Sequence, residues 1–158
     1  MRLKELLFTG LYTGYSPVMS GTAGTLLAVL IYIIEQQVLG SYGCLGNVLV
    51  VLVLLYPSFR LAESGESFFG KKDASEIVID EIIGFWIAML FLPYNWVVVL
   101  MAFVLFRFFD IIKPFPIDRL QKLRGGVGIM VDDIVAGIYT NVILWMLLVF
   151  AGDALFPF

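Results

Sequence analysis

The chain has 158 residues, of which 61% are hydrophobic and 15% charged, with a formal net charge of −3. Soluble domains carry about 45–50% apolar residues and a quarter charged ones, so a fold surrounded by water could not hide this much apolar surface, whereas a bilayer solvates it. The acidic balance excludes a basic nucleic-acid face, the absence of histidine removes a Ser-His-Asp triad, a phosphohistidine and histidine-ligated zinc, and a single cysteine, Cys44, excludes an intrachain disulfide and a multi-cysteine metal cluster.

The first sixteen residues carry Arg2 and Lys4, but Gly10, Gly14, Ser16 and Pro17 interrupt the apolar run behind them, so the segment does not read as a cleavable signal peptide. Leu3, Leu6, Leu7, Leu11 and Tyr12 share one helical stripe, which predicts a short interfacial amphipathic helix. Five apolar stretches follow, over residues 22–39, 47–62, 77–92, 96–112 and 129–150. A spanning helix needs about 20 residues, so the second and third are short and call for flanking residues or a thinned bilayer. Pro57 predicts a kink within the second stretch. Cys44 reads as a small apolar residue near a helix end. The expected architecture is a single all-α domain over 1–158: a polytopic membrane helix bundle of about five transmembrane helices plus the interfacial helix.

The connections alternate in character. Residues 40–46 and 93–95 hold no charge, whereas 63–76 holds Glu63, Glu66, Lys71, Lys72, Asp73 and Glu76, and 113–128 holds Lys113, Asp118, Arg119, Lys122 and Arg124. Cationic loops stay in the cytoplasm, which places the N-terminus and both charged loops inside. Tyr42, Tyr94 and Trp96 suit an aromatic belt on the opposite side.

Carboxylates inside apolar spans are costly, by about 2.5–3.5 kcal/mol at a helix centre. Asp80, Glu81, Asp110, Asp132 and Asp133 all fall within a turn or two of an expected cytoplasmic helix end, at similar depth. Helix capping accounts for one acid at a helix start, not for two adjacent pairs. It also fails for Asp110 at a helix C-terminus, where negative charge is disfavoured. A hard divalent cation resolves the mutual repulsion, and oxygen ligands without histidine or cysteine favour Mg²⁺ or Mn²⁺. The motif Asp80-Glu81-Ile82-Ile83-Gly84 is echoed by Asp133-Ile134-Val135-Ala136-Gly137. In each, Asp and Gly at i, i+4 share a face, so the Gly admits a neighbouring helix while the Asp points into the same crevice.

Cations accompany the acids. Arg107, Asp110 and Lys113 sit at i, i+3, i+6 on one broad helix face, with Arg107 inside an apolar run, and Arg124 opens a glycine-rich stretch. Arginine suits bidentate phosphate recognition and lysine acts as a point charge. Two glycine turns enter helices on this side: Gly21-Thr22-Ala23-Gly24-Thr25 and Gly125-Gly126-Val127-Gly128. Exposed N–H groups there, at Thr22, Gly24, Thr25, Gly125 and Gly126, could receive an anion, although neither turn is a Walker loop. Lys113-Pro114-Phe115-Pro116-Ile117 ends the fourth helix, since its prolines cannot continue it.

These stretches carry a resemblance. Gly21-Thr22-Ala23-Gly24-Thr25-Leu26, Ile79-Asp80-Glu81-Ile82-Ile83-Gly84, Phe106-Arg107-Phe108-Phe109-Asp110 with Lys113-Pro114-Phe115-Pro116-Ile117, and the long block from Gly125 to Gly137 resemble the phosphatidylglycerophosphatase A family over nearly the whole chain. The resemblance implies a Mg²⁺-dependent hydrolase of bacterial inner membranes that converts phosphatidylglycerophosphate to phosphatidylglycerol and inorganic phosphate. On that reading Asp80, Glu81, Asp132 and Asp133 hold Mg²⁺ with Asp110 as a fifth acid. Arg107, Lys113 and Arg124 grip the phosphate. Asp80, Asp133, Arg107 and Lys113 carry the chemistry, by water attack or through an aspartyl phosphate on a residue such as Asp133. A phosphoalcohol transferase would need a D-G-x-x-A-R signature, which is absent, and an ion carrier would place its acids near mid-bilayer. The expected partners are the lipid substrate and the bilayer; the sequence sets no oligomeric state.

Overall fold

The computed structural model describes residues 2–123 and 125–151, all helical or irregular, with no strand among them. The helices are α1 (Arg2–Phe8), α2 (Ser20–Leu39), α3 (Gly43–Phe69), α4 (Ile79–Ala88), α5 (Trp96–Ile112), α6 (Ile117–Leu120) and α7 (Gly126–Ala151). Two helical stretches are long and apolar enough to cross a membrane: Ser20–Phe69, which is α2 and α3 joined through a tight turn at Gly40–Tyr42, and Gly126–Phe150 within α7.

Large apolar side chains face outward as well as inward. The inner face of α2 is Gly24, Thr25, Ala28, Tyr32 and Gln36, small or polar, while Leu26, Leu30, Ile34 and Val38 point outward. On α5 the buried face is Val98, Val99, Ala102 and Phe106, and the outward stripe is Leu100, Val104, Phe108 and Ile111. Large apolar residues left outside on helix after helix form a surface that lipid, not water, would cover.

The short helix α4 is the hub. Asp80 and every residue from Ile82 to Ala88 are buried, with α2, α3, α5 and α7 packed around it. Ten residues rise about 15 Å, half of a hydrocarbon core. The apolar stretch 77–92 is therefore helical over only part of its length. Phe91 adopts a left-handed φ of 61°, and Pro93 disfavours helix at the residue before it. The carbonyls released at the end of α4 find amide donors on the surrounding helices. Asn47 Nδ2 donates to Trp86 O, and Asn141 Nδ2 donates to Ala88 O at 2.9 Å and Leu90 O at 2.8 Å. The backbone that leaves the helix here is thereby hydrogen-bonded within the protein.

Elsewhere the boundaries move. α3 continues past Ala62 to Phe69, so Glu63 and Glu66 lie on helix rather than in a loop. Hydropathy marks where a span ends, not where a helix does, and α3 stops only where Gly70 takes the left-handed C′ position at φ 62°. Pro57 lies inside α3, and Cys44 is exposed in its first turn. The helix expected near the N-terminus is α1, but it ends at Phe8: Leu11 and Tyr12, expected on its stripe, lie beyond it at left-handed φ values of 53° and 68°. Leu3 and Leu7 are exposed, while Phe8 inserts against Phe68 and Phe69 with ring centroids 5.7 and 5.8 Å away.

Candidate active site

Three helix ends converge at one end of the bundle. Asp80 and Glu81 occupy the first turn of α4, Asp132 and Asp133 the second turn of α7, and Arg107 and Asp110 the last turns of α5. Successive helical residues point about 100° apart, so each adjacent acidic pair serves two directions. Asp133 turns towards α4, where Asp80, Glu81 and Asp133 each offer a carboxylate oxygen within 4.8 Å of the others. Asp132 turns towards the end of α5, where its Oδ2 accepts from Lys113 Nζ at 2.6 Å. Lys113 can reach it because it caps α5 in the left-handed region, φ 48°, ahead of Pro114.

Arg107 bridges the acids. Its Nη1 lies 2.5 Å from Asp110 Oδ2 and 4.0 Å from Glu81 Oε1, and the three side chains are each 13% exposed. The ion pair to Arg107 explains why Asp110 is tolerated at a helix C-terminus. The start of α2 closes against this pair: a Cβ on Gly21 would collide with Glu81 Oε1 and sit 3.0 Å from Arg107 Nη1. Burial works to lower the pKa of the Lys113 ammonium, but the carboxylates of Asp132, Asp133 and Asp110 outweigh it and hold the group above its ordinary value.

These side chains line a cavity of about 520 Å³ with Met19, Ser20, Gly21, Asp73, Ile111 and neighbouring residues. Asp80, Asp132 and Asp133 are 6%, 4% and 3% exposed. Among the described residues, Asp80 Oδ1, Glu81 Oε2, Asp132 Oδ1 and Asp133 Oδ1 have no hydrogen-bond partner. Buried carboxylate oxygens cost several kcal/mol when uncompensated. An all-oxygen set of this kind fits a hard divalent cation such as Mg²⁺, which takes one or two carboxylates and completes its shell with phosphate and water.

The structure brings Asp80, Glu81, Arg107, Asp110, Lys113, Asp132 and Asp133 to one cavity. It does not bring the glycine turns there as a set. Gly24 packs on the Val78 side chain, and Thr25 is fully buried with its hydroxyl donating to Gly21 O. Thr22 Oγ1 is buried without a partner among the described residues and is not in the lining. Gly125 and Gly126 line a separate cavity with Phe59, Arg60 and Glu63, because Gly126 packs directly on the α3 backbone. Arg124 lies outside the described residues. Asp73 was hidden in a charged loop and proves to be a lining residue. It sits at φ 50° and accepts from Gln121 Nε2 at 2.7 Å, tying the loop after α3 to the segment after α6. The only local sign in the sequence is that Asp tolerates the left-handed region better than most residues.

The family model for phosphatidylglycerophosphatase A matches residues 6–148. A Bacteroides thetaiotaomicron protein, whose name provisionally assigns it phosphatidylinositol-3-phosphatase activity, is 39% identical over 90% of this chain and 91% of its own. Proteins named phosphatidylglycerophosphatase A from Escherichia coli K12 and Haemophilus influenzae are each 36% identical over 90% of this chain, covering 82% and 90% of theirs. No solved structure shows a significant match. With the family model spanning the acidic and basic helix ends that form the cavity, the chain belongs to the phosphatidylglycerophosphatase A family.

Proposed function

We propose that the protein is a Mg²⁺-dependent lipid phosphatase that hydrolyses phosphatidylglycerophosphate to phosphatidylglycerol and inorganic phosphate at the cytoplasmic face of a bacterial inner membrane. The observation that carries the reading is the cluster of Asp80, Glu81 and Asp133 oxygens within 4.8 Å, beside Arg107 and Lys113 in one cavity. The names of the Escherichia and Haemophilus relatives supply the substrate. Orientation follows from the lysines and arginines at the charged end. In that reading α2, α3, α5 and α7 cross the bilayer and α4, with the chain after it, forms the fifth segment as a half-length helix enclosed by the others.

Asp80, Glu81, Asp132 and Asp133 would hold the ion, with Asp110 as a further acid. Mg²⁺, when bound, supplies Lewis-acid polarisation of the phosphoryl group. The chain's own groups do the rest. Arg107 and Lys113 meet the phosphate dianion as it enters, with Asp110 and Asp132 keeping both cations oriented until then. Fixed positive charge at the phosphoryl oxygens stabilises the transition state. Asp133 either takes a proton from attacking water or attacks phosphorus itself. In both routes the P–O bond to phosphatidylglycerol breaks and the lipid leaves as its alcohol, protonated from Asp133 or solvent; in the second route water then cleaves the acyl phosphate to inorganic phosphate and free Asp133. Trapping a phosphoenzyme separates the two routes.

Phosphate release from phosphatidylglycerophosphate by purified protein, with and without EDTA, tests the proposal. Activity that survives EDTA removes the metal, and no release from this lipid removes the substrate. The Bacteroides relative's name favours a second reading, in which a phosphoinositide is the better substrate; the same assay on phosphatidylinositol 3-phosphate decides between them.

A further inference from the structure

The cavity is polar on α4 and α7 but changes character between the start of α2 and the end of α5. Two of its lining residues there, Met19 and Ile111, are both 60% exposed. Ile111 completes the outward apolar stripe of Leu100, Val104 and Phe108, so an apolar track begins at the cavity mouth and runs the length of α5. One step round the same helix, Arg107 and Asp110 face the cavity. Val18 and Ile112, the chain neighbours of Met19 and Ile111, are apolar and exposed as well. Polar headgroup chemistry and lipid-facing surface therefore meet at this seam.

We propose that the seam between Met19 at the start of α2 and Ile111 at the end of α5 is the lateral doorway of the enzyme, where a diacyl lipid keeps its chains along the α5 stripe while its phosphate reaches Arg107 and Lys113. This rests on the lipid phosphatase reading above and deepens it. Charge complementarity fixes the occupant. With a divalent cation offsetting the carboxylates, a dianionic headgroup is drawn to Arg107 and Lys113, and its tails need an unbroken apolar path because leaving lipid costs about 0.8 kcal/mol per CH₂.

The test compares Met19→Gln/Ile111→Gln with wild type and with Leu52→Gln, a control on the outward face of α3 at 66% exposure. Each is assayed in mixed micelles on dioleoyl phosphatidylglycerophosphate and on its deacylated, water-soluble counterpart, with Mg²⁺. The doorway variant should lose about tenfold or more in kcat/KM on the diacyl substrate, the scale of a lost apolar contact to substrate, and less than about twofold on the deacylated one. Leu52→Gln should change neither. Equal loss on both substrates would show a disturbed site rather than a lipid path and overturn the proposal. No loss on either, or the same selective loss from Leu52→Gln, overturns it as well. Wild-type protein that releases no phosphate from the diacyl lipid would overturn the phosphatase reading itself, and the doorway with it.

Discussion

Gly84 on α4 and Gly137 on α7 meet backbone to backbone, so closely that a methyl group on Gly137 would overlap the carbonyl oxygen of Gly84. A methyl on Gly84 would in turn lie 2.8 Å from Asp133 O. Each glycine stands four residues after an acid of the cluster, Asp80 or Asp133. The crossing point and the carboxylate trio are thus set by one contact: the glycines let the helices touch, and one turn earlier the acids share a crevice.

Gly137→Ala should therefore destabilise the protein by about 1–3 kcal/mol, the cost of forcing a methyl group into a filled contact. Lost activity should accompany the lower stability, because the same shift separates Asp80 from Asp133. Thermal unfolding in detergent reads the first effect. An alanine variant that melts with wild type would mean that the helices do not touch there.

The acids should behave as a metal site in a measurement that needs no substrate. In EDTA, Asp133→Asn should melt higher than wild type, because a neutral amide removes repulsion from Asp80 and Glu81. With Mg²⁺ the order should reverse: wild type gains stability by mass action and the variant does not. Turnover of Asp133→Asn and Asp80→Asn should fall by more than about 100-fold, beyond what outer-shell partners of a metal cost. Variants that keep the full Mg²⁺-induced shift in melting would remove these residues from the site.

The acidic and basic constellation was legible in the sequence because both of its signals are local. Carboxylates at helix ends within apolar runs are costly wherever the helices go, and the i, i+3 spacing of Arg107 and Asp110 fixes a shared face without tertiary information, whereas Lys113 joins them from the left-handed cap that follows the helix. The length of α4 was not legible. Residues 82–92 carry no charge, and the helix ends inside them where Asn47 and Asn141, 39 and 53 residues away from their acceptors, hydrogen-bond the freed carbonyls. The glycine turns misled for a related reason. Gly24 and Gly126 serve close packing on Val78 and on α3, and the pattern of a packing glycine is the same as that of an anion-binding one. Gly21, in the same motif, is the member that reaches the cavity.

Gly21→Ala separates packing from chemistry. Its Cβ would press on the Glu81 and Arg107 side chains at the cavity wall rather than on backbone, so the fold should tolerate it. The displaced Arg107 and Glu81 should lower kcat/KM by about 10–100-fold, since a misplacement near 1 Å costs on that order. Melting should change little. A variant that unfolds, or one with full activity, would show that Gly21 does not set the geometry of these two groups.

The last prediction concerns the deep end of α4, far from the acids. Asn141 Nδ2 is shared between Ala88 O and Leu90 O, and Asn141→Leu leaves two enclosed carbonyls without that donor. An unsatisfied buried polar group costs about 1–3 kcal/mol. The end of α4 should loosen, and hydrogen exchange of amides near Met89 and Leu90 should rise before that of α7. Asp80 and Glu81 lie on the same rigid ten-residue helix, so their depth relative to Asp133 is set in part by this anchor. Activity should consequently fall further than the loss of stability alone explains at temperatures well below melting. Asn141→Gln, which keeps the amide on a longer stem, should recover part of it. If Asn141→Leu matches wild type in both exchange and turnover, α4 is held by its apolar packing alone.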